Sequence, residues 1–235
     1  DDPRNVRQFV ARCSEMVWGC IEQWGGETVK DWYWCIWNEP NNLIVGGDLT
    51  FAQYRRIYEA VAADILRQLE PYLGGRKPMI GGPAIDGTHR PYWLDWIARL
   101  VTEVDNRLIG FVSWHRYGDW RPAVPRASLE LEMWDSPDAP QGAGFEALLM
   151  AQTPQYEARA RAVARLLQGR DILNVCGELN TISHHENYYT LGLNQNMFGA
   201  AYYASALIGL LRGGADLEMR WTATSHGLHT DAYGL

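Results

Sequence analysis

The sequence predicts an α/β fold in which a parallel β-sheet is covered by helices. Short apolar runs, rich in aromatic and β-branched residues, recur along the chain and are typical of buried strands. Between them lie longer stretches in which apolar residues recur at three- and four-residue steps, as in amphipathic helices. Strand and helix therefore alternate, which favours right-handed crossovers between neighbouring parallel strands.

The first predicted elements are a helix that begins at Pro3 and ends before Gly25, and a strand from Trp32 to Trp37. Proline is favoured in the first turn of a helix, and the strand has the aromatic content of a buried one. Thr50 and the residue three positions later, a glutamine, have capping-box spacing ahead of a second helix. The next predicted elements are a strand over residues 78–82, a helix over 91–104 and a strand over 108–114.

Residues 118–152 are rich in Pro, Gly and Asp and show no sustained period, which predicts a long loop that can include a short helix. Thr153 and Pro154 then cap and start a helix. The last predicted elements are a strand over residues 171–180, a helix over 194–212 and a strand over 215–221. Five strands are thus predicted, whereas a closed (β/α)8 barrel has eight and about 250 residues. Two architectures stay open: an open sheet, or the last five strands of a barrel whose first part is absent.

Composition and charge exclude several classes of protein. The 235 residues are 47% hydrophobic and 21% charged, which is ample for one core and predicts a single domain over residues 1–235. The net charge of −7 does not supply the basic surface that nucleic-acid binding needs. No run approaches the ~20 apolar residues of a membrane span, and no Gly-rich phosphate loop follows a strand. We expect no nucleic-acid and no membrane partner, and the oligomeric state stays open.

The chain begins with Asp1 and shows no signal segment, so we interpret it as a processed product or a fragment of a soluble protein, secreted or cytoplasmic. Its four cysteines lack metal-finger spacing and are predicted to be buried thiols. His184, His185 and Glu186 suggest a metal, but adjacent histidines do not easily converge on one ion. No metal and no other cofactor is expected.

Two glutamates at predicted strand ends are candidates for acid–base chemistry. Glu39 lies between an apolar run and Pro40, which cannot extend a hydrogen-bonded ladder, and Glu178 lies near the end of the strand over residues 171–180. Parallel strands present their carboxyl ends on one face of a sheet, where active sites of α/β proteins lie. Glycosidic bond cleavage needs two carboxyl groups, one to protonate the leaving oxygen and one to attack the sugar or activate water. The pair indicates glycosidase chemistry without deciding which carboxyl has which role.

Other polar and aromatic residues at the predicted strand ends suit sugar binding. Amphipathic rings stack on sugars as well as pack in cores, and histidine and tyrosine can hydrogen-bond a carboxylate or a hydroxyl. The predicted substrate-binding residues are Trp37, Asn38, His115, Tyr117, Asn180 and Trp221.

Five motifs resemble, in order, the fourth to eighth strands of retaining glycoside hydrolases of clan A. They are WNEPN (37–41), GGPA (81–84), FVSWHRYG (111–118), GELNT (177–181) and RWTATS (220–225). The greatest resemblance is to family 39, the β-xylosidase and iduronidase-like group. It implies an α/β fold of the (β/α)8 TIM barrel type, of which this chain holds strands 4 to 8.

The resemblance also implies a reaction and roles for residues. It implies a retaining double displacement on a carbohydrate substrate, with Glu39 as acid/base, Glu178 as nucleophile and Asn38 on the sugar's 2-hydroxyl. His115, Tyr117 and Trp221 match positions that line the sugar site. The alternative interpretation is a carbohydrate-binding pseudoenzyme or truncated barrel, which would bind an aryl glycoside without releasing the aglycone. The sugar, its linkage and exo or endo action stay open.

Overall fold

The structure of the protein is a computed structural model that describes residues 3–42, 47–86, 92–118, 143–181 and 196–220. The helices are α1 (Pro3–Trp24), α2 (Gly26–Val29), α3 (Phe51–Leu73), α4 (Trp93–Glu103), α5 (Ala143–Met150), α6 (Pro154–Leu166) and α7 (Met197–Gly213). The strands are β1 (Trp34–Cys35), β2 (Ile80–Ile85), β3 (Phe111–Tyr117), β4 (Leu173–Asn180) and β5 (Leu217–Arg220). A 3-10 helix covers Asn106–Leu108. Among these helices, none combines the length and the hydrophobicity that a membrane-spanning helix requires.

The five described strands form one sheet in the order β1-β2-β3-β4-β5. β1 pairs with β2 in parallel, with Trp34 opposite Ile80, and β2 pairs with β3 in parallel, with Gly81 opposite Phe111. Doubly wound open sheets reverse their strand order at a switch point, and no reversal occurs here. The order is that of consecutive strands in a (β/α)8 barrel, so the prediction of a partial barrel is confirmed.

The chain divides into two compact units. The first comprises Asp1–Trp114 and Leu166–Val175, and the second comprises His115–Arg165 and Cys176–Leu235. Strands β1 and β2 belong to the first unit and β5 to the second, while β3 and β4 each contribute residues to both. Glu39 is consequently a residue of the first unit, and Glu178 is a residue of the second.

In the first unit, α1 packs against α3. Helix α3 begins at the predicted capping box: the hydroxyl oxygen of Thr50 accepts from the backbone N–H of Gln53, and the Gln53 side chain accepts from the backbone N–H of Thr50. The Gln68 amide of α3 donates to the Ser14 hydroxyl of α1 at 3.0 Å. A local sequence signal thus sets where α3 begins, and its side chains fix it to α1.

Two buried tyrosines of α3 tie this helix to the ends of other elements. The Tyr54 hydroxyl donates to the Ile36 carbonyl at 3.2 Å, and the Tyr58 hydroxyl donates to the Leu108 carbonyl at 2.9 Å. Burial raises the pKa of both phenols well above the ordinary value, so they stay neutral donors at physiological pH. The residues directly after β1 are therefore held by a side chain from the core.

In the second unit, Tyr156 of α6 joins a strand to a helix. Its hydroxyl donates to the Arg116 carbonyl of β3 at 3.0 Å and lies 3.2 Å from the Tyr202 hydroxyl of α7. Burial raises the pKa of Tyr156 well above its ordinary value and that of Tyr202 to about 12. Helices α6 and α7 lie close together, since a Cβ at Gly213 would be 2.6 Å from the Cβ of Ala160.

Two predicted strand boundaries differ from the structure for physical reasons. β1 begins later than predicted, because the Trp32 N–H still bonds the Val29 carbonyl of the preceding turn, and it ends earlier, because Trp37, at φ 73°, leaves the extended conformation. β2 continues past the predicted end at residue 82 to Ile85, with a register shift between Pro83 and Ile85 that accommodates the proline. Within the predicted loop of residues 118–152, α5 is the helix that the structure describes. The part of that loop at residues 119–142 lies outside the described residues.

The prediction of four buried thiols is correct for Cys176 alone. Cys35 is exposed, and Cys13 and Cys20 are half-buried, although all four are thiols outside any disulfide, as predicted. Side chains alternate along β1, so the burial of Trp34 leaves its neighbour Cys35 on the other face. The run from His184 to Glu186, considered for a metal, lies outside the described residues.

Two glycine substitutions test the packing of the first unit. The N–H of Gly110 donates to the Ile80 carbonyl at 2.7 Å, its carbonyl accepts from Leu173 at 2.9 Å, and a Cβ there would lie 2.5 Å from the Pro78 carbonyl oxygen. Because backbone atoms cannot move aside, we expect Gly110→Ala to lower the free energy of unfolding by about 2–3 kcal/mol. Gly19→Ala in α1 is the matched control: its Cβ meets nothing within 4 Å, and it should raise that free energy by about 0.5–1 kcal/mol. Urea titration measures both, and equal effects would contradict the close approach at Gly110.

Candidate active site

Glu39 lies in a tight turn a few residues after the end of β1 and is buried, with 8% of its surface exposed. Its φ of 46° is in the left-handed region that residues with side chains seldom enter. Its N–H donates to the Ala84 carbonyl at the end of β2 at 3.0 Å, and its own carbonyl accepts from the Asn42 N–H at 2.9 Å. The second bond closes a turn with Pro40 in second position, where its fixed φ is favoured. Glu39 is thus fixed through the backbone on both sides.

The two asparagines that follow Pro40 join this turn to the end of β2. The Asn41 amide donates to the Asp86 carbonyl at 3.2 Å, and its oxygen accepts from the Asp86 N–H at 3.1 Å. The Asn42 amide nitrogen lies 2.9 Å from Oε2 of Glu39 and 3.4 Å from Oδ2 of Asp86. The carboxyl of Glu39 is therefore held by a neighbouring side chain as well as by its backbone.

The residues before Glu39 differ in exposure. The ring of Trp37 is half-buried and packs on Phe9 of α1, with the ring centroids 4.8 Å apart. Asn38 is exposed. A polar amide open to solvent beside a buried carboxyl is available to bind a hydroxyl-rich ligand.

Glu178 lies in β4 and is contacted by two side chains of β3. The Tyr117 hydroxyl donates to Oε2 of Glu178 at 2.7 Å, and Nδ1 of His115 lies 3.4 Å from the same oxygen. The His115 side chain is 3% exposed and that of Glu178 is 18% exposed. Residues two apart in a strand point to the same face, which explains why His115 and Tyr117 both reach Glu178. The carboxyl is therefore oriented by a buried histidine and a half-buried tyrosine, while part of it stays accessible.

Arg116, between these two residues, points to the opposite face of β3 and is buried. Its guanidinium donates to the Gln155 side-chain oxygen at 2.8 Å and to that of Gln152 at 3.4 Å. On β4, burial and then the charges of Glu218 and Glu178 raise the pKa of the Cys176 thiol well above its ordinary value. A neutral, buried thiol is a poor nucleophile, so Glu178 is the candidate nucleophile of this strand.

The structure places the other predicted binding residues as follows. Asn180 is buried, and its side-chain oxygen accepts from the Thr181 N–H at 2.9 Å. Trp221 lies outside the described residues.

Sequence reasoning did not identify Asn42 and Asp86 as neighbours of Glu39. The available signals were the paired asparagines after the proline and an acidic residue after a buried strand.

Residues 1–141 match the model of glycosyl hydrolases family 39, which is more than half of the chain. The chain belongs to this family. The predicted resemblance to family 39 is therefore confirmed. Over 104 residues this family 39 chain is 33% identical to a beta-xylosidase of Geobacillus stearothermophilus, a match that covers 43% of the chain and 19% of that protein.

Two crystal structures of bacterial enzymes are similar to this family 39 chain. The GH39 enzyme from Xanthomonas axonopodis pv. citri has a TM-score of 0.60 and 19% identity, covering 97% of this chain and 39% of that one. A monomeric beta-xylosidase from Caulobacter crescentus CB15 has a TM-score of 0.63 and 17% identity, covering 98% and 43%. At these identities the similarity shows the fold alone. The chain spans about two fifths of the length of these structures.

The paired hydrogen bonds of Asn41 with the backbone of Asp86 predict a loss of stability when they are removed. Asn41 is 5% exposed and Asp86 is half-buried, so Asn41→Ala removes this partner from the Asp86 N–H and carbonyl where water has limited access. We expect the free energy of unfolding to fall by about 1–3 kcal/mol in urea titration. The exposed Asn106→Ala should change it by less than about 0.5 kcal/mol. A loss at Asn41 no larger than that at Asn106 would contradict this view of the turn.

Proposed function

We propose that the protein hydrolyses O-glycosidic bonds with retention of configuration, with Glu39 as acid/base and Glu178 as nucleophile. Membership of family 39 supports a glycosidase. The observation that carries the proposal is the pair of contacts from Tyr117 and His115 to one oxygen of Glu178. Fixing one carboxylate oxygen leaves the other free to attack, as nucleophilic catalysis requires.

In the first step, Glu39 begins protonated and Glu178 ionised. Glu178 attacks the anomeric carbon while Glu39 donates its proton to the oxygen of the departing group. The bond from carbon to the leaving oxygen breaks and a glycosyl ester on Glu178 forms. Tyr117 and His115 keep the attacking carboxylate oriented as its charge is consumed.

In the second step, Glu39 acts as a general base instead of a general acid. As a carboxylate it takes a proton from water, whose oxygen attacks the anomeric carbon and releases Glu178. Two inversions give net retention. The reaction requires the two carboxyl groups to be about 5–5.5 Å apart, which leaves no room for a water between them.

The substrate proposed is a glycoside, and the relatives suggest where to begin. Two of them are named β-xylosidases, so an aryl β-xyloside is the first substrate to assay. We propose that exposed Asn38 binds the sugar's 2-hydroxyl and that Trp37, Asn180 and Trp221 contribute to the same sugar site. Binding of the glycoside without release of its aglycone would favour a carbohydrate-binding pseudoenzyme instead.

Substituting each carboxylate and adding azide separates their roles. In the whole protein, Glu178→Gly removes the nucleophile and leaves space for azide to attack the anomeric carbon directly, so the glycosyl azide should have inverted configuration. Glu39→Ala should still form the ester from a substrate with a good leaving group, and azide then displaces Glu178. That second inversion should give the glycosyl azide with retained configuration. NMR assignment of the anomeric centre reads out both products.

An exposed glutamate far from both carboxylates in sequence provides the control. Glu70 is exposed on α3, so Glu70→Ala should hydrolyse the aryl glycoside at the wild-type rate without forming azide products. If Glu178→Gly gave the retained azide and Glu39→Ala the inverted one, the two roles would be reversed. Wild-type turnover in both variants would exclude these carboxylates from catalysis.

A further inference from the structure

The buried hydroxyl of Tyr54 lies where the regular pairing of β1 with β2 stops. It donates to the Ile36 carbonyl at 3.2 Å, and Ile36 is three residues before Glu39. We infer that Tyr54 is a positioning residue for Glu39, because its hydroxyl supplies the hydrogen bond that Pro83 of β2 cannot give to β1. The inference rests on the proposed function, since it concerns how Glu39 is held for proton transfer.

The parallel ladder between β1 and β2 shows which donor the proline takes away. The Trp34 N–H donates to the Met79 carbonyl at 2.8 Å. Two residues further on, the Ile36 N–H donates to the Gly81 carbonyl at 2.9 Å. In this evenly spaced pattern the Ile36 carbonyl would next accept from the N–H of residue 83. That residue is proline and has no N–H, so the carbonyl of buried Ile36 needs a donor from elsewhere in the protein.

Tyr54 reaches this carbonyl from α3, and a glycine in β2 leaves room for its hydroxyl. A Cβ at Gly82 would lie 2.2 Å from the Tyr54 hydroxyl oxygen and 3.1 Å from the Ile36 carbonyl oxygen. The ring itself is packed between aromatic neighbours, since its centroid lies 5.8 Å from those of Tyr58 and Trp96. The packing of the ring therefore fixes where the hydroxyl lies, beside both strands.

The contacts of this hydroxyl come just before the strained residues that present Glu39. The Glu39 N–H donates to the Ala84 carbonyl at 3.0 Å, and the two residues have positive φ, 46° and 51°. Such conformations persist only where the surroundings hold them. Tyr54 bonds Ile36 on one segment and lies against Gly82 on the other. Loss of the hydroxyl should therefore let the Glu39 carboxyl move, although no group that touches the substrate is removed.

Tyr54→Phe tests this in the whole protein, because it removes the hydroxyl and keeps the packed ring. A displaced acid/base matters most when the leaving group needs a proton. We expect kcat/KM with phenyl β-xyloside to fall about 10-fold, part of the 10²- to 10⁴-fold that general acid catalysis typically contributes. With the dinitrophenyl glycoside, whose leaving group needs no proton, the fall should be less than about threefold. Adding Tyr54→Phe to Glu39→Ala should not change the ratio of the two values further.

Tyr58→Phe is the matched control. Tyr58 lies one turn further along α3, is as fully buried as Tyr54, and donates to the backbone carbonyl of Leu108, which precedes β3. Each substitution thus removes one buried hydroxyl from a backbone carbonyl, and the two should lower the urea midpoint of unfolding by similar amounts. Tyr58→Phe should nevertheless leave the ratio of the two kcat/KM values unchanged.

Hydrogen exchange measures the hold on Glu39 without any turnover. In Tyr54→Phe, the peptide that contains Glu39 should exchange its amide hydrogens about 10-fold faster than in Tyr58→Phe, as followed by mass spectrometry. Equal losses on both glycosides, the same bias in Tyr58→Phe, or equal exchange in the two variants would overturn the positioning role while wild-type turnover upholds the proposed function. A wild type that hydrolyses neither glycoside would overturn both.

Discussion

Three residues with side chains, Trp37, Glu39 and Ala84, have φ between 46° and 73° at the carboxyl ends of β1 and β2. Each such residue costs about 1–3 kcal/mol and persists only where its surroundings hold it. Here the Glu39 N–H donates to the Ala84 carbonyl, so one strained residue is bonded to another. The presentation of Glu39 depends on this junction, because its carboxyl points where the strained turn directs it. The Tyr54 hydroxyl on the Ile36 carbonyl supports the same turn from the core.

In the second unit, Glu178 is held by side chains of β3, which alternate between the two faces of the sheet. Arg116 faces the packed side of β3, where it meets Gln155 and where Tyr156 bonds its carbonyl. That anchoring fixes the strand, and His115 and Tyr117 on the other face then hold Glu178. The two glutamates are thus supported differently, Glu39 by backbone and amide bonds in a turn and Glu178 by side chains of a neighbouring strand. Such a difference suits the proposed roles, since an acid/base must gain and lose a proton while a nucleophile must keep its direction.

Features that depend on neighbouring residues could be predicted from the sequence, and features that depend on distant ones could not. The capping box at Thr50 involves residues three apart and was predicted correctly. The five strands could be predicted from apolar runs. The extension of β2 through Pro83 could not, because proline has no N–H to donate to a neighbouring strand and therefore normally ends a strand. The hydrogen bond from the Asn42 amide to the Asp86 carboxyl joins residues 44 apart. It forms beside a turn that begins with Glu39 in the left-handed conformation. No pattern of residue types signals positive φ at a glutamate.

Chemical trapping of the nucleophile tests the central claim most directly. A dinitrophenyl β-xyloside with fluorine in place of the 2-hydroxyl slows both steps by destabilising their oxocarbenium-like transition states, while its good leaving group lets the first proceed. The whole protein treated with this reagent should lose activity and gain the mass of one fluorosugar, and the modified peptide should carry it on Glu178. A label on any other residue, or hydrolysis with inversion and no label, would contradict the account.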